Sequence, residues 1–200
     1  MAIDSIVERK RLLRRQCRAW PGPADGAAAG AAIAERLSAL PEVRQAVAIA
    51  GFLSDATEPD LRPWFRQWLS AGRLVWLPRY RAGDGSYEMV PVEDLEKDLS
   101  IGKYKLQEPR PELPAAAQTW CDGHLTWLVP GMAFDRAGRR LGRGKGFYDR
   151  LLAGARGPVI GVFFGDREVA TVPAAEHDRR LDVIVTEAAT ERVRQEQELV

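Results

Sequence analysis

Between Leu128 and Leu152 the chain runs LVPGMAFDRAGRRLGRGKGFYDRLL, and at its centre Gly142, Gly144 and Gly146 alternate with Arg143 and Lys145 just before a helical pattern begins. Glycines, lacking a Cβ, let backbone N–H groups converge on an anion. The two cations supply charge, and the first turn of the next helix adds its positive dipole end. In physical terms this is a phosphate cradle. Over Arg136–Arg150 six basic residues (136, 139, 140, 143, 145 and 150) stand against one acid, Asp149. That excess sets the segment apart from a solvated hairpin tip whose glycines merely turn the chain. Lys145 is followed by Gly146 rather than Ser or Thr, so the segment is not a P-loop, and its glycine spacing is not that of the dinucleotide fingerprint.

A second pair of cations lies near the start. Ile6, Leu13, Cys17 and Trp20 make one apolar stripe at helical spacing, with Lys10 in its middle and Arg14 one turn later at its edge. Lys10 either lays its methylenes over the core and keeps its ammonium wet, or reaches an anion together with Arg14. Joined to the glycine loop, the pair would make a site of three or four cations suited to a nucleoside triphosphate. A polyphosphate normally arrives with Mg²⁺, which takes one or two carboxylates besides phosphate oxygens and water. Asp149, in the first turn after the loop, is one candidate. Glu176-His177-Asp178 and Asp182 offer others, and the spacing does not choose between Asp178 and Asp182.

These residues need a frame to hold them. Asp4–Trp20 reads as a helix stopped by Pro21-Gly22-Pro23, and the alanine-rich Asp25–Leu40 as a second, closed by Pro41. Gln45–Leu53 is short, apolar and bounded by polar residues, as a strand buried on both faces of a parallel sheet must be. Similar runs at Arg73–Leu77, Leu125–Val129, Pro158–Phe164 and Leu181–Val185 alternate with helix-like stretches at Asp60–Ala71, Gly146–Ala155 and, briefly, Val169–Val172. Ser86–Pro91, after the Gly83-Asp84-Gly85 turn, alternates like an antiparallel edge strand. Pro109–Ala117 reads as a loop inside one domain spanning 1–200. Strands alternating with helices predict an α/β fold, a layered structure around a mostly parallel sheet with a small antiparallel edge element.

Composition bounds the function. The chain has 200 residues, and its 29 Lys+Arg against 28 Asp+Glu leave a formal charge of +1, so attraction of the whole surface to nucleic acid or anionic lipid is excluded as a driving force. Two cysteines, Cys17 and Cys121, and two histidines give neither a disulfide framework nor a zinc site. Apolar runs stop at about ten residues, half a membrane span. The expectation is a cytoplasmic protein with no nucleic-acid or membrane partner, acting as a monomer on a small molecule.

Pro130-Gly131-Met132-Ala133-Phe134-Asp135, followed by Gly138-x-Arg140-Leu141-Gly142-Arg143-Gly144-Lys145-Gly146-Phe147-Tyr148-Asp149-Arg150, resembles the hallmark of the 5-formyltetrahydrofolate cyclo-ligase (5,10-methenyltetrahydrofolate synthetase) family. The likeness extends over essentially the whole chain, taking in Lys10-x-x-x-Arg14, Glu58-Pro59-Asp60, Glu108-Pro109 and Glu176-His177-Asp178 with Asp182. It implies a Rossmann-like α/β/α three-layer sandwich. It also implies an ATP- and Mg²⁺-dependent ligase of one-carbon metabolism that closes 5-formyltetrahydrofolate, with or without a polyglutamate tail, to 5,10-methenyltetrahydrofolate. By carry-over, Lys10, Arg14 and the loop Arg140, Leu141, Gly142, Arg143, Gly144, Lys145, Gly146, Phe147 and Tyr148 would bind ATP, and Asp149 and Asp178 would bind magnesium. Glu58, Phe52 and Tyr104 would meet the folate, with Arg143–Phe147 along its side, and Lys145, Arg143 and Tyr148 would serve the reaction itself. In the implied chemistry the formyl oxygen attacks the γ-phosphate, N10 closes on the activated carbon and phosphate leaves. That requires no protein nucleophile, and the chain shows no Ser-His-Asp or Cys-His constellation. Phe147 stands where the family often has a tyrosine, and Leu61 where it often has a threonine. Two other readings are a relative using the same ATP grip on another formyl or amide substrate, and a non-catalytic nucleotide-binding regulator.

Overall fold

Ser5 caps the first helix, α1 (Ile6–Cys17), its hydroxyl accepting from the Glu8 amide at 3.2 Å and satisfying one of the orphan N–H groups of the first turn. The structure, a computed structural model, describes residues 5–55, 57–116, 125–175 and 178–194. Asp4, Cys121, Glu176 and His177 lie outside the described residues. Asp25 caps α2 (Gly26–Ala39) through the Ala28 amide at 2.9 Å. Pro41, read above as closing α2, also opens a one-turn helix, α3 (Pro41–Arg44), because a first helical position has no N–H bond to lose. The chain continues through β1 (Ala48–Ala50), α4 (Arg62–Ser70), β2 (Leu74–Tyr80), β3 (Tyr87–Val92), β4 (Leu99–Ile101), β5 (Gln107–Pro109) and β6 (Leu125–Val129). It ends through β7 (Ala133–Phe134), β8 (Arg140–Leu141), α5 (Phe147–Leu152), β9 (Val159–Val162), β10 (Val183–Val185) and β11 (Thr190–Arg192).

Seven strands form one sheet in the order β11-β10-β9-β6-β1-β2-β3. The inner five, from β10 to β2, run parallel, and β11 and β3 close the two edges antiparallel. The expected α/β class and the edge strand after the Gly83–Gly85 turn are both present. Side chains leave the sheet alternately. Ile49 and Leu128 join Ile33, Leu37, Phe65 and Trp68 of α2 and α4 on one face, whereas Ala48, Ala50, Trp127 and Val129 join Leu151 and Leu152 of α5 on the other. These faces make the three layers, and each large buried side chain contributes about 1.5–3 kcal/mol. A third, smaller cluster packs Cys17, Leu13 and Trp20 at the end of α1 onto Ala133 and Leu141 of the β7–β8 hairpin.

The expected helix at Val169–Val172 does not form. The Val172 amide donates to Asp135 Oδ2 at 2.8 Å and the Val169 amide to the Phe134 carbonyl at 2.9 Å, so the β7–β8 hairpin takes the N–H groups a helix would need. A single 3-10 turn occurs earlier instead, at Gly165–Arg167. The helix read at Gly146–Ala155 is likewise shorter, since α5 has only six residues. Its dipole is correspondingly small, which leaves the neighbouring side chains as the main source of positive charge.

Candidate functional site

Strand order reverses direction between β1 and β6. One neighbour of β1 is the next strand in sequence and the other is reached by a long crossover, so the loops at their carboxyl ends part and leave a crevice. A cavity of about 390 Å³ lies there. Phe52 and Leu53 follow β1 into it, Pro130 and Gly131 follow β6, and the glycine loop, α1 and the β4–β5 hairpin supply the other walls.

Of the five cations on α1, two, Lys10 and Arg14, line this cavity. Lys10 Nζ donates to Asp178 Oδ2 at 2.5 Å, and the same carboxylate oxygen accepts the Ala175 amide at 2.7 Å. Arg14 Nε donates to the Gly142 carbonyl at 2.8 Å, so the first helix fixes the glycine loop directly. Gly144 has φ +93°, and a Cβ there would sit 3.0 Å from the Arg14 guanidinium carbon, so this position needs both the backbone freedom and the small size of glycine. Burial lowers the pKa of Arg14, while the Asp149 and Asp178 carboxylates act in the opposite sense; it stays a cation between two acids.

The loop side chains divide the cavity. Lys145 Nζ donates to the Tyr104 hydroxyl at 2.8 Å and lies 4.1 Å from that ring's centre, an arrangement that pulls the Tyr104 phenol below its ordinary range. Arg143 reaches across to the loop after β1, pairing with Asp55 and with Glu58 Oε1 at 3.1 Å and donating to Thr57 Oγ1 at 3.1 Å. Burial pushes the Glu58 carboxyl above the usual carboxylate range, against the pull of Arg143. Arg140 is buried, donates from Nη2 to Asp149 Oδ1 at 2.9 Å and leaves its Nε without a partner among the described residues. Burial, reinforced by Glu58, raises the Tyr148 phenol far enough that it stays a neutral hydroxyl. Phe147 meets Tyr87 edge to face with ring centres 4.5 Å apart, and burial with nearby Glu108 pushes the Tyr87 phenol up to about 12.

The residues that the resemblance nominated for ATP, folate and magnesium all line this one cavity, from Lys10 and Arg14 through Phe52, Glu58 and Tyr104 to Arg140–Asp149 and Asp178. Asp182 does not. Its carboxylate accepts the Val159 amide at 2.8 Å and pairs with Arg179 at 3.3 Å, joining the starts of β9 and β10. Sequence reasoning missed Asp55, Tyr87 and Glu108 as wall residues. Asp55 and Glu108 sit in a loop and a three-residue strand with no periodicity to flag them, and Tyr87 appeared only as an alternating strand residue.

Among the described residues no group of three or more His, Cys, Asp or Glu side chains is arranged to hold a metal by itself. Mg²⁺ does not demand one, since it keeps waters and phosphate oxygens and needs only one or two protein carboxylates. Asp149 and Asp178 fit that role, because both act electrostatically on Arg14 and both line the same cavity. No helix among the described residues is long and apolar enough to cross a membrane.

The switch-point cleft, with cations on one wall and tyrosines on another, belongs to an open, doubly wound α/β protein. Residues 4–187 match the 5-formyltetrahydrofolate cyclo-ligase family, and the chain belongs to that family. It is 30% identical over 161 residues to the 5-formyltetrahydrofolate cyclo-ligase of Escherichia coli K12, covering 78% of this chain and 87% of that one. It is 26% identical over 148 residues to the cyclo-ligase of Mus musculus, covering 70% and 72% respectively. The solution structure of Aquifex aeolicus 5,10-methenyltetrahydrofolate synthetase is similar with a TM-score of 0.76 at 26% identity, over 98% of this chain and 96% of that one.

Proposed function

We propose that this protein closes 5-formyltetrahydrofolate to 5,10-methenyltetrahydrofolate in an ATP- and Mg²⁺-dependent reaction that releases ADP and phosphate, working as a monomer of one domain. The observation that carries the reading is the convergence of Lys10, Arg14, Arg143 and Lys145 with Asp149 and Asp178 on one cavity that Phe52, Tyr87, Tyr104 and Phe147 also line. ATP supplies the phosphoryl group that turns the formyl oxygen into a leaving group; Asp149 and Asp178 would hold Mg²⁺, which would neutralise phosphate charge.

The protein's part is positioning and charge. Arg14 fixes the glycine loop through Gly142 and lines the cavity, where its guanidinium would meet the phosphates. Lys145, resting on Tyr104, stands between the phosphate side and the aromatic side, where charge on the transferring phosphoryl group must be met. Arg143 ties the loop to Asp55 and Glu58, bringing the folate wall against the phosphate wall. Tyr148, kept neutral, is a hydrogen-bond donor at the same junction, and Phe52 and Phe147 offer apolar surface to the pterin.

The test is absorbance near the methenyl-folate band with purified protein, 5-formyltetrahydrofolate and Mg²⁺, with and without ATP, beside Lys145→Ala. The expected result is an ATP-dependent rise that the variant loses by at least about a hundredfold, in the range of one transition-state charge contact. Folded protein that binds ATP yet gives a flat trace would move the assignment to another formyl or amide acceptor.

A further inference from the structure

Arg167 closes the 3-10 turn after β9 and is only 5% exposed, yet it does not line the cavity. The turn is itself held, because the Gly165 amide donates to the Glu187 carboxylate at 2.9 Å and 3.1 Å. From this platform the guanidinium reaches the C-terminal end of α1. Nη1 donates to the Cys17 carbonyl at 3.3 Å, the guanidinium carbon lies 5.5 Å from the centre of the Trp20 ring, and a Cβ at Gly22 would sit 3.7 Å from Nη2. Nε lies 3.4 Å from Asp166 Oδ1 without a hydrogen bond. The carbonyl end of a helix favours a cation, but burying a guanidinium on so few partners is an inefficient source of stability.

α1 needs an anchor of this kind. Cys17 is the one buried residue in the helix, and α1 contributes to no cluster of buried residues but the small one around Cys17. Lys10 pairs with Asp178, the proposed magnesium ligand, so that tie must be remade when the site fills. Lys10 stands seven residues before Cys17, about 10 Å along the helix, so a tilt of about 6° at the Cys17 end carries it about 1 Å. Displacements of that size are costly to a site that works by positioning. We propose that Arg167 is a positioning residue for the nucleotide half of the site, holding the C-terminal end of α1 so that Lys10 and Arg14 meet the phosphates at a fixed place. The inference rests on the cyclo-ligase reading for the nucleotide and adds the group, outside the cavity, that sets the helix carrying half of the grip.

The experiment combines titrations of the full chain with Mg-ATP and with 5-formyltetrahydrofolate, steady-state kinetics and amide hydrogen exchange, for wild type, Arg167→Met and Arg167→Lys. Expected for Arg167→Met is a Mg-ATP dissociation constant and KM raised about tenfold, on the order of one hydrogen bond to a charged group. Folate KM and kcat should stay within about twofold, the pattern of lost uniform binding. Amides of α1 should exchange faster while those of β6 do not. Arg167→Lys keeps the charge and a donor but not the planar fork. It should weaken Mg-ATP by only about threefold with folate affinity unchanged, and it reads the same test if the methionine variant does not fold. In a Lys10→Ala/Arg14→Ala background, Arg167→Met should change Mg-ATP affinity by less than about twofold, because the groups it positions are gone. A full further loss in that background, Mg-ATP and folate weakened alike, or unchanged exchange in α1 would overturn the proposal and leave Arg167 as packing alone. A wild type that binds Mg-ATP but forms no methenyl-folate would overturn the cyclo-ligase reading and not this inference, which the nucleotide titrations decide; a wild type that binds no Mg-ATP would end both.

Discussion

Gly144 concentrates two demands in one residue, a left-handed backbone and room for the Arg14 guanidinium 3.0 Å from where a Cβ would be. Gly144→Ala should therefore lose about 1 kcal/mol of stability or somewhat more and weaken ATP binding by displacing Arg14. Thermal melting and ATP titration check the two effects separately. Glu58 makes a different prediction. Its native pKa is raised from 4.5, chiefly by burial, so the folded state holds the proton more tightly than the unfolded one. That contribution is complete below the unfolded value and is lost as pH rises through the native one. Wild type should accordingly lose stability relative to Glu58→Gln over that interval, which melting curves across the acid-to-neutral range would reveal. At this scale the sequence was informative where a residue broke a pattern. Lys10 interrupted an apolar stripe and proved to reach Asp178, and the alternation of glycine with cations marked the loop. Glu108 and Asp55 broke no pattern, and only folding placed them in the wall.

Elements constrain the site through close approaches and edge ties. Gly161 in β9 lies where a Cβ would collide with Phe163, so Gly161→Ala should cost about 1–3 kcal/mol by overpacking, measured as a lower urea midpoint at unchanged m-value. At the sheet edge, α3 and β11 are joined by Glu42 and Arg192 at 2.5 Å, and the Arg192 hydrogen bond holds the Glu42 carboxyl below its ordinary range. A lowered carboxylate stabilises above its unfolded value and stops doing so as pH falls through its native one. Arg192→Gln should thus melt below wild type at neutral pH and converge with it in acid. The strands buried on both faces were legible because nothing but apolar residues fits there, and Leu125–Val129 matches β6 residue for residue. The two-stranded hairpins β4–β5 and β7–β8 were not, being two or three residues long. Nor was β11, whose Thr-Glu-Arg reads as loop and pairs only because β10 offers a free edge.

Taken whole, the molecule is nearly neutral, yet its cavity draws positive side chains from α1 and the glycine loop, both far from each other in sequence. If Mg-ATP binds across them as proposed, it stabilises only the assembled form. At a hundred times its dissociation constant a ligand adds about 2.7 kcal/mol, which for a chain of this length raises the melting temperature by about 5–10 °C. Differential scanning fluorimetry with and without Mg-ATP tests this, and Lys10→Ala should reduce the shift. One further consequence follows from the reach of α1. Lys10 and its partner Asp178 are separated by 168 positions, and Arg14 and Gly142 by 128. A ribosome therefore makes the first half of this cation cluster long before the second, and a product terminated early carries lysine and arginine with no loop to hold. Nonsense fragments of this chain should therefore lack the assembled cavity, and with it the means to hold the nucleotide that the full chain is proposed to bind.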